Sequence, residues 1–143
     1  MKVLVSACLL GRCCKYNGGH NLDPNVVGFV KDKQVYEVCP EVMAGLGVPR
    51  TPIEICNGVL LDREGNSKDA VLRQAVQQVL ELVDREQITC AVLKSRSPTC
   101  GVCQVYDGSF TGTLVTGSGV LAKALLDAGL SVMDAEELGR GEV

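Results

Sequence analysis

Three short apolar segments constrain the fold of this chain most strongly. Residues 2–6, 34–38 and 88–93 have the length and apolar character of buried β-strands. Each segment is followed by a loop that carries a cysteine. Those cysteines are Cys8, Cys39 and Cys100. In an open parallel sheet, the loops at the carboxyl ends of the strands converge on one crevice, so we expect these distant thiols to meet.

Segments with helical patterning alternate with the predicted strands. The predicted helices are about 24–30, 68–86 and 119–128, and a last short strand is expected at 130–133. Alternating strands and helices predict a mostly parallel sheet whose two faces are covered by helices. We therefore expect one three-layer α/β domain that spans residues 1–143.

The connecting segments give weaker signals. Residues 39–52 are rich in proline and glycine and are predicted to form an ordered loop. Residues 53–62 alternate weakly and predict an extended pair, with a turn at 63–66. Ser67 is the expected N-cap of the long helix that follows it. A stretch rich in Gly, Ser and Thr runs from 95 to 119.

The composition excludes several classes of protein. Eight cysteines among 143 residues fall below the share of about 8–10% that marks a disulfide scaffold. No leader-like segment and no apolar run of membrane-spanning length is found, so we expect a cytoplasmic protein with reduced thiols. A net charge of −3, with three Tyr, two Phe and no Trp, argues against a general nucleic-acid binder.

The cysteines carry the clearest chemical signal. Three thiolates at one sheet edge suit a soft metal or an iron–sulfur cluster, and they are one ligand fewer than a closed tetrahedral site uses. The alternative is that they are buried structural thiols. Cys100 and Cys103 form a C-x-x-C pair, which is a candidate redox dithiol.

The other cysteines have simpler interpretations. Cys13 and Cys14 are adjacent in the first loop, where they either line the crevice or are unrelated thiols. Cys56 and Cys90 fall inside apolar segments and are expected in the core.

Two residues near the candidate ligands are candidates for catalysis. Glu41 is two residues after Cys39 and is placed for acid–base chemistry, although a solvated loop carboxylate is an equal alternative. Ser97 either donates a hydrogen bond at the site or caps the turn before Pro98. Glu54 and His20 are weaker candidates with the same structural alternatives.

A set of ordered motifs covers nearly the whole chain. They are Ser6-Ala-Cys-Leu-Leu-Gly11, Lys15-Tyr-Asn-Gly-Gly-His20, Cys39-Pro-Glu-Val42, Pro49-Arg-Thr-Pro-Ile-Glu54, Ser97-Pro-Thr-Cys-Gly101, Tyr106-Asp-Gly-Ser-Phe110 and Gly112-Thr-Leu114. In these motifs the sequence resembles the 2-thiouracil desulfurase family.

The resemblance implies a Rossmann-like domain that carries a [4Fe–4S] cluster on three cysteines. Matched by motif, the ligands are Cys8, Cys39 and Cys100, Glu41 is the acid–base residue, and Ser97 assists it. The implied activity is the removal of sulfur from a small thiolated pyrimidine. From the three-ligand count and a carboxylate two residues from one ligand, we expect this reaction to be hydrolytic and non-redox, with release of hydrogen sulfide.

Two other functions stay open from the residues alone. One is a thiol redox protein that uses Cys100 and Cys103. The other is a non-catalytic zinc- or iron-binding module in which the cysteines are structural.

Overall fold

Four parallel strands form the central sheet of this computed structural model, which describes residues 1–139. Across the sheet, the strands are Gln34–Val38 (β2), Lys2–Ser6 (β1), Cys90–Leu93 (β5) and Ser131–Asp134 (β8). The chain moves outward from β1 to β2 and then returns to the other side of β1 at β5. This reversal makes the carboxyl edge of β1 and β5 a topological switch point, where ligands bind in such folds.

Helices cover both faces of the sheet. Side chains of successive strand residues point to opposite faces, so the apolar strands need a helix layer on each side. Val3 and Val5 pack with Pro24–Val30 (α1) and with the start of Ala135–Gly139 (α5). Leu4 packs on the other face with Asp69–Glu86 (α3) and Val120–Asp127 (α4). The predicted three-layer α/β fold is therefore confirmed.

The long helix α3 forms where its apolar periodicity predicts it. Its buried residues are Leu72, Ala75, Val76, Val79 and Val83. The N-cap position, however, is Lys68 rather than the predicted Ser67, and the Lys68 side chain makes no capping hydrogen bond. Ser67 Oγ still accepts the backbone N–H of Asp69, the first residue of the helix, at 3.4 Å.

Two antiparallel hairpins lie outside the central sheet. The first pairs Ile53–Cys56 (β3) with Val59–Asp62 (β4), and Asn57 and Gly58 turn it with φ of 51° and 81°. Asn-Gly is the preferred pair for such a turn, which the sequence analysis did not place. The turn predicted at 63–66 is also present after β4, where the Gly65 N–H donates to the carbonyl of Asp62 at 3.0 Å. The second hairpin, Gln104–Tyr106 (β6) with Leu114–Thr116 (β7), lies in the stretch rich in Gly, Ser and Thr.

A short helix, Pro40–Met43 (α2), replaces part of the loop predicted for 39–52. Proline at the first helical position and Glu41 in the first turn are both helix-start signals. Among the cysteines assigned to the core, Cys90 is buried there. Cys56 is only half-buried, and its Sγ lies 3.2 Å from the carbonyl oxygen of Gly108.

The loop between β5 and β6 is fastened to the first turn of α4. The backbone N–H groups of Leu121 and Ala122 both donate to the carbonyl of Thr99, at 2.8 and 3.1 Å. Gly119 donates to the carbonyl of Gly101 at 2.7 Å. A Cβ atom on Gly119 would lie 2.5 Å from the backbone carbon and oxygen of Thr99, so only glycine permits this approach.

No helix within residues 1–139 has both the length and the apolar character needed to cross a membrane.

We expect Gly119→Ala to lower the free energy of unfolding by about 1–3 kcal/mol, because the added methyl group must displace the neighbouring loop. Urea denaturation measures this change. Gly28→Ala is the matched control, since Gly28 is exposed in α1 and a Cβ there meets nothing within 4 Å. That variant should gain up to about 1 kcal/mol. Equal stability of the two variants would contradict the steric argument.

Candidate active site

A cavity of about 540 Å³ opens at the carboxyl edge of the sheet. The loops after β1, β2 and β5 and the two hairpins line it. Cys8, Cys39 and Cys100 all contribute to the lining, so the structure brings together the three cysteines singled out from the sequence. Cys100 is 4% exposed, and the other two are half-buried.

Local backbone structure places each thiol. Cys8 lies in a 3₁₀ turn, Ala7–Leu10, that begins directly after β1, and its carbonyl accepts the N–H of Asn21 at 2.9 Å. Cys39 occupies the N-cap position of α2. Cys100 follows a tight turn in which its backbone N–H donates to Ser97 Oγ at 3.1 Å.

Burial keeps these thiols protonated. It raises the pKa of Cys100 to about 12, and the Glu41 carboxylate adds to the effect. Burial and then Glu41 likewise raise the pKa of Cys39. Burial is also the main cause of the raised pKa of Cys8. A metal that binds here must therefore displace protons from buried thiols, and it supplies the positive charge that stabilises the thiolates.

Thiolates are the ligands that iron–sulfur clusters use, so the donor types present suit a cluster. Within residues 1–139, no group of three or more His, Cys, Asp or Glu side chains is close enough together to hold one metal ion. In an iron–sulfur cluster, separate irons are held by separate cysteines, so the ligands need not crowd around one centre. Three soft thiols that line one cavity satisfy that requirement.

The Glu41 carboxylate contacts one candidate ligand and the residue that precedes another. Its Oε2 accepts a hydrogen bond from Cys39 Sγ at 3.6 Å, and its Oε1 accepts one from Thr99 Oγ1 at 2.8 Å. Ser97 also lines the cavity, and its Oγ lies 3.0 Å from Thr99 Oγ1. The sequence analysis missed Thr99. Its position between Ser97 and Cys100 in the Ser-Pro-Thr-Cys motif was the available signal.

The lining of the cavity is cationic although the chain has a net charge of −3. Its charged residues are the cations Lys15, Arg50, Arg63, Lys94 and Arg96 and the carboxylates Glu41 and Glu54. Tyr16, Tyr106 and Phe110 add aromatic surface. A concave site with this charge balance attracts anions.

The other residues proposed from the sequence lie partly inside and partly outside the cavity lining. Cys14 lines the cavity, whereas Cys13 and Cys103 are exposed and do not contribute to the lining. Cys103 Sγ lies 3.8 Å from Glu137 Oε1. His20 is exposed and accepts the N–H of Leu22 at 3.0 Å, a contact that holds the loop.

Glu54 is buried and ties the two hairpins together. Its Oε1 accepts the backbone N–H groups of Gly108 and Phe110, at 2.9 and 3.1 Å. Glu54 therefore has a structural role, but as a buried carboxylate and not as the solvated loop carboxylate that the sequence analysis gave as the alternative.

Known proteins are similar to this chain in both sequence and fold. The sequence model of the 2-thiouracil desulfurase family matches residues 3–137. The uncharacterized protein YbbK of Bacillus subtilis (strain 168) is 32% identical over 146 residues, covering 95% of this chain and 97% of YbbK. A solved structure of the [4Fe-4S]-dependent thiouracil desulfidase TudS matches with a TM-score of 0.90 and 30% identity, covering 97% of this chain and 93% of that one.

The family match extends over both the sheet and the loops that line the cavity, and the similarity to TudS confirms the Rossmann-like α/β fold. The resemblance read from the ordered motifs is thereby confirmed. The chain belongs to the 2-thiouracil desulfurase family.

Proposed function

We propose that this protein is an iron–sulfur-dependent desulfurase that removes sulfur from a small thiolated pyrimidine such as 2-thiouracil. The observation that carries the proposal is the convergence of three thiols on one cavity, with the Glu41 carboxylate hydrogen-bonded to Cys39 and to Thr99, the residue before Cys100. The family match and the name of the related TudS support it. The reducing cytoplasm is the compartment in which such thiols stay available.

Cys8, Cys39 and Cys100 would hold a [4Fe–4S] cluster. With three protein ligands, the bound cluster supplies one iron without a protein ligand, which is a soft Lewis acid suited to a thiocarbonyl sulfur. Cys14 lines the same cavity but stands outside this ligand set.

The proposed reaction is hydrolytic and moves no net electrons. The oxygen of a water forms a bond to the thiocarbonyl carbon, the C–S bond breaks, and the sulfur leaves as hydrogen sulfide with two protons. Glu41 would take a proton from the attacking water and return it to the departing sulfur. Ser97 would assist through its hydrogen bonding in the same cavity.

The lining also bears on the choice of substrate. Aromatic residues give a planar pyrimidine surfaces against which to stack, and the excess of cations favours a substrate that carries negative charge. Both features support a small anionic ring compound as the ligand.

Replacing any one of Cys8, Cys39 or Cys100 with alanine should remove most of the cluster. Anaerobically purified wild type should contain about four irons and four acid-labile sulfides per chain and be brown. Iron and sulfide quantitation with visible absorbance measures the loss. Cys13→Ala is the matched control, because Cys13 is exposed and absent from the lining. Full cluster content in one of the three variants would exclude that residue as a ligand.

Cys103→Ala should leave desulfuration within about twofold of wild type, because Cys103 is exposed outside the cavity lining. Turnover of 2-thiouracil, followed by ultraviolet absorbance and by hydrogen sulfide release, measures this. If the variant were inactive with its cluster intact, a dithiol mechanism through Cys100 and Cys103 would replace the present one.

Glu41→Gln should retain the cluster and lose at least about 100-fold in kcat, the usual contribution of a general acid–base residue. Glutamine keeps the size of the side chain but cannot accept a proton from water. The same turnover assay, normalised to iron content, measures the loss. Glu37→Gln is the control, since Glu37 pairs with Arg12 outside the cavity. Undiminished turnover in Glu41→Gln would remove Glu41 from the mechanism.

A further inference from the structure

Thr99 is a buried hydroxyl at the point where the candidate catalytic groups meet. It is 0% exposed, lies next to the candidate ligand Cys100, and contacts both Glu41 and Ser97. A hydroxyl that is removed from water needs hydrogen-bond partners, and the choice of partners decides what it does.

The direction of the hydrogen bonds follows from the number of protons. A hydroxyl has one proton to donate, and an ionised carboxylate only accepts. Thr99 Oγ1 therefore gives its proton to Glu41 Oε1 at 2.8 Å. In the 3.0 Å contact between the two hydroxyls, Ser97 must then be the donor.

Ser97 has no further hydrogen-bonding capacity once this order is fixed. Its Oγ accepts the backbone N–H groups of Thr99 and Cys100, at 3.2 and 3.1 Å. Two lone pairs and one proton are thus all used. In this arrangement Ser97 acts on Glu41 only through Thr99.

The sulfur of Cys100 is the competing acceptor for the Thr99 proton. It lies 3.6 Å from Thr99 Oγ1, against 2.8 Å for the carboxylate oxygen. A hydrogen bond to an ionised oxygen at this distance is the stronger of the two. The geometry therefore favours Glu41.

Backbone contacts hold the Thr99 backbone in place and so fix the position of its side chain. Its carbonyl accepts from Leu121 and Ala122 in the first turn of α4, and Gly119 packs directly against it. These contacts do not involve the hydroxyl, so they survive a change of side chain.

We propose that Thr99 is the positioning residue of the active site, which fixes Glu41 Oε1 so that Oε2 is the oxygen left for water or substrate. Oε2 now accepts from Cys39 Sγ at 3.6 Å, and a cysteine that serves as a metal ligand has no S–H to donate. The kinetic consequence of this inference rests on the proposed function. The hydrogen bond between Thr99 and Glu41 does not depend on it.

Thr99→Val tests the role, since valine has nearly the same shape and no hydroxyl. We expect a normal iron and sulfide content, a kcat lower by about 10–100-fold, and a KM within about threefold of wild type. Thr99→Ser restores the hydroxyl and should recover most of kcat. Thr116→Val is the matched control, because Thr116 is exposed on β7 outside the cavity lining.

Two kinetic outcomes would overturn the proposal. One is an undiminished kcat in Thr99→Val. The other is a fall in turnover that only follows a loss of iron, which would show that Thr99 supports the Cys100 ligand instead of Glu41.

A thermal double-mutant cycle tests the same contact without turnover. On the full chain as purified, Thr99→Val should lower Tm by about 3–8 °C, and by less than half as much in a Glu41→Ala background. Equal shifts in the two backgrounds would overturn the proposal. If wild type turned over no thiopyrimidine, the proposed function would fail while this cycle still decided whether Thr99 holds Glu41.

Discussion

The register of β1 with its two neighbours is the constraint on which the site depends. Ser6 pairs with Val38 and Val5 pairs with Val92, so three strands end at the same level. The buried Ser6 hydroxyl accepts the N–H of Lys94 at 2.9 Å and so ties the end of β1 to the loop after β5. Parallel pairing thus gathers thiols that are up to 92 residues apart, from Cys8 to Cys100, without any covalent link between them.

The charges around the cavity limit the repulsion between its thiols and its carboxylates. Thiols and carboxylates that are both ionised repel one another, and burial makes the repulsion stronger. Two features reduce this repulsion. The thiols stay protonated, and cations from several separate segments line the same cavity. Those cations would lower the cost of holding the proposed cluster and its thiolate ligands next to Glu41 and Glu54.

Much of this arrangement could be predicted from the sequence, because the strongest signals are local. The apolar strands, the periodicity of α3 and the position of each cysteine after a strand lead directly to the layered fold and to the converging thiols. The turn at Asn57-Gly58 and the helix after Cys39 also had local signals, in Asn-Gly and in proline at the first helical position. The sequence analysis did not place the Asn-Gly turn, and within residues 39–52 it weighed proline and glycine only as breakers of structure.

Other features could not be read from the chain. The role of Thr99 depends on contacts with a residue 58 positions away and on how many protons two hydroxyls can share. The cationic character of the cavity is likewise invisible in a sequence whose net charge is negative. Both are properties of side chains that only the folded chain brings together.

The hairpins and the loops at the sheet edge line different parts of the cavity. All three candidate ligands come from loops anchored to the central sheet, whereas Phe110 and Arg63 come from the hairpin segments that Glu54 links. Altered hairpins would therefore reshape one part of the cavity wall without moving the loops that carry the three thiols. Such an architecture lets selectivity diverge among related enzymes while the inorganic chemistry stays the same.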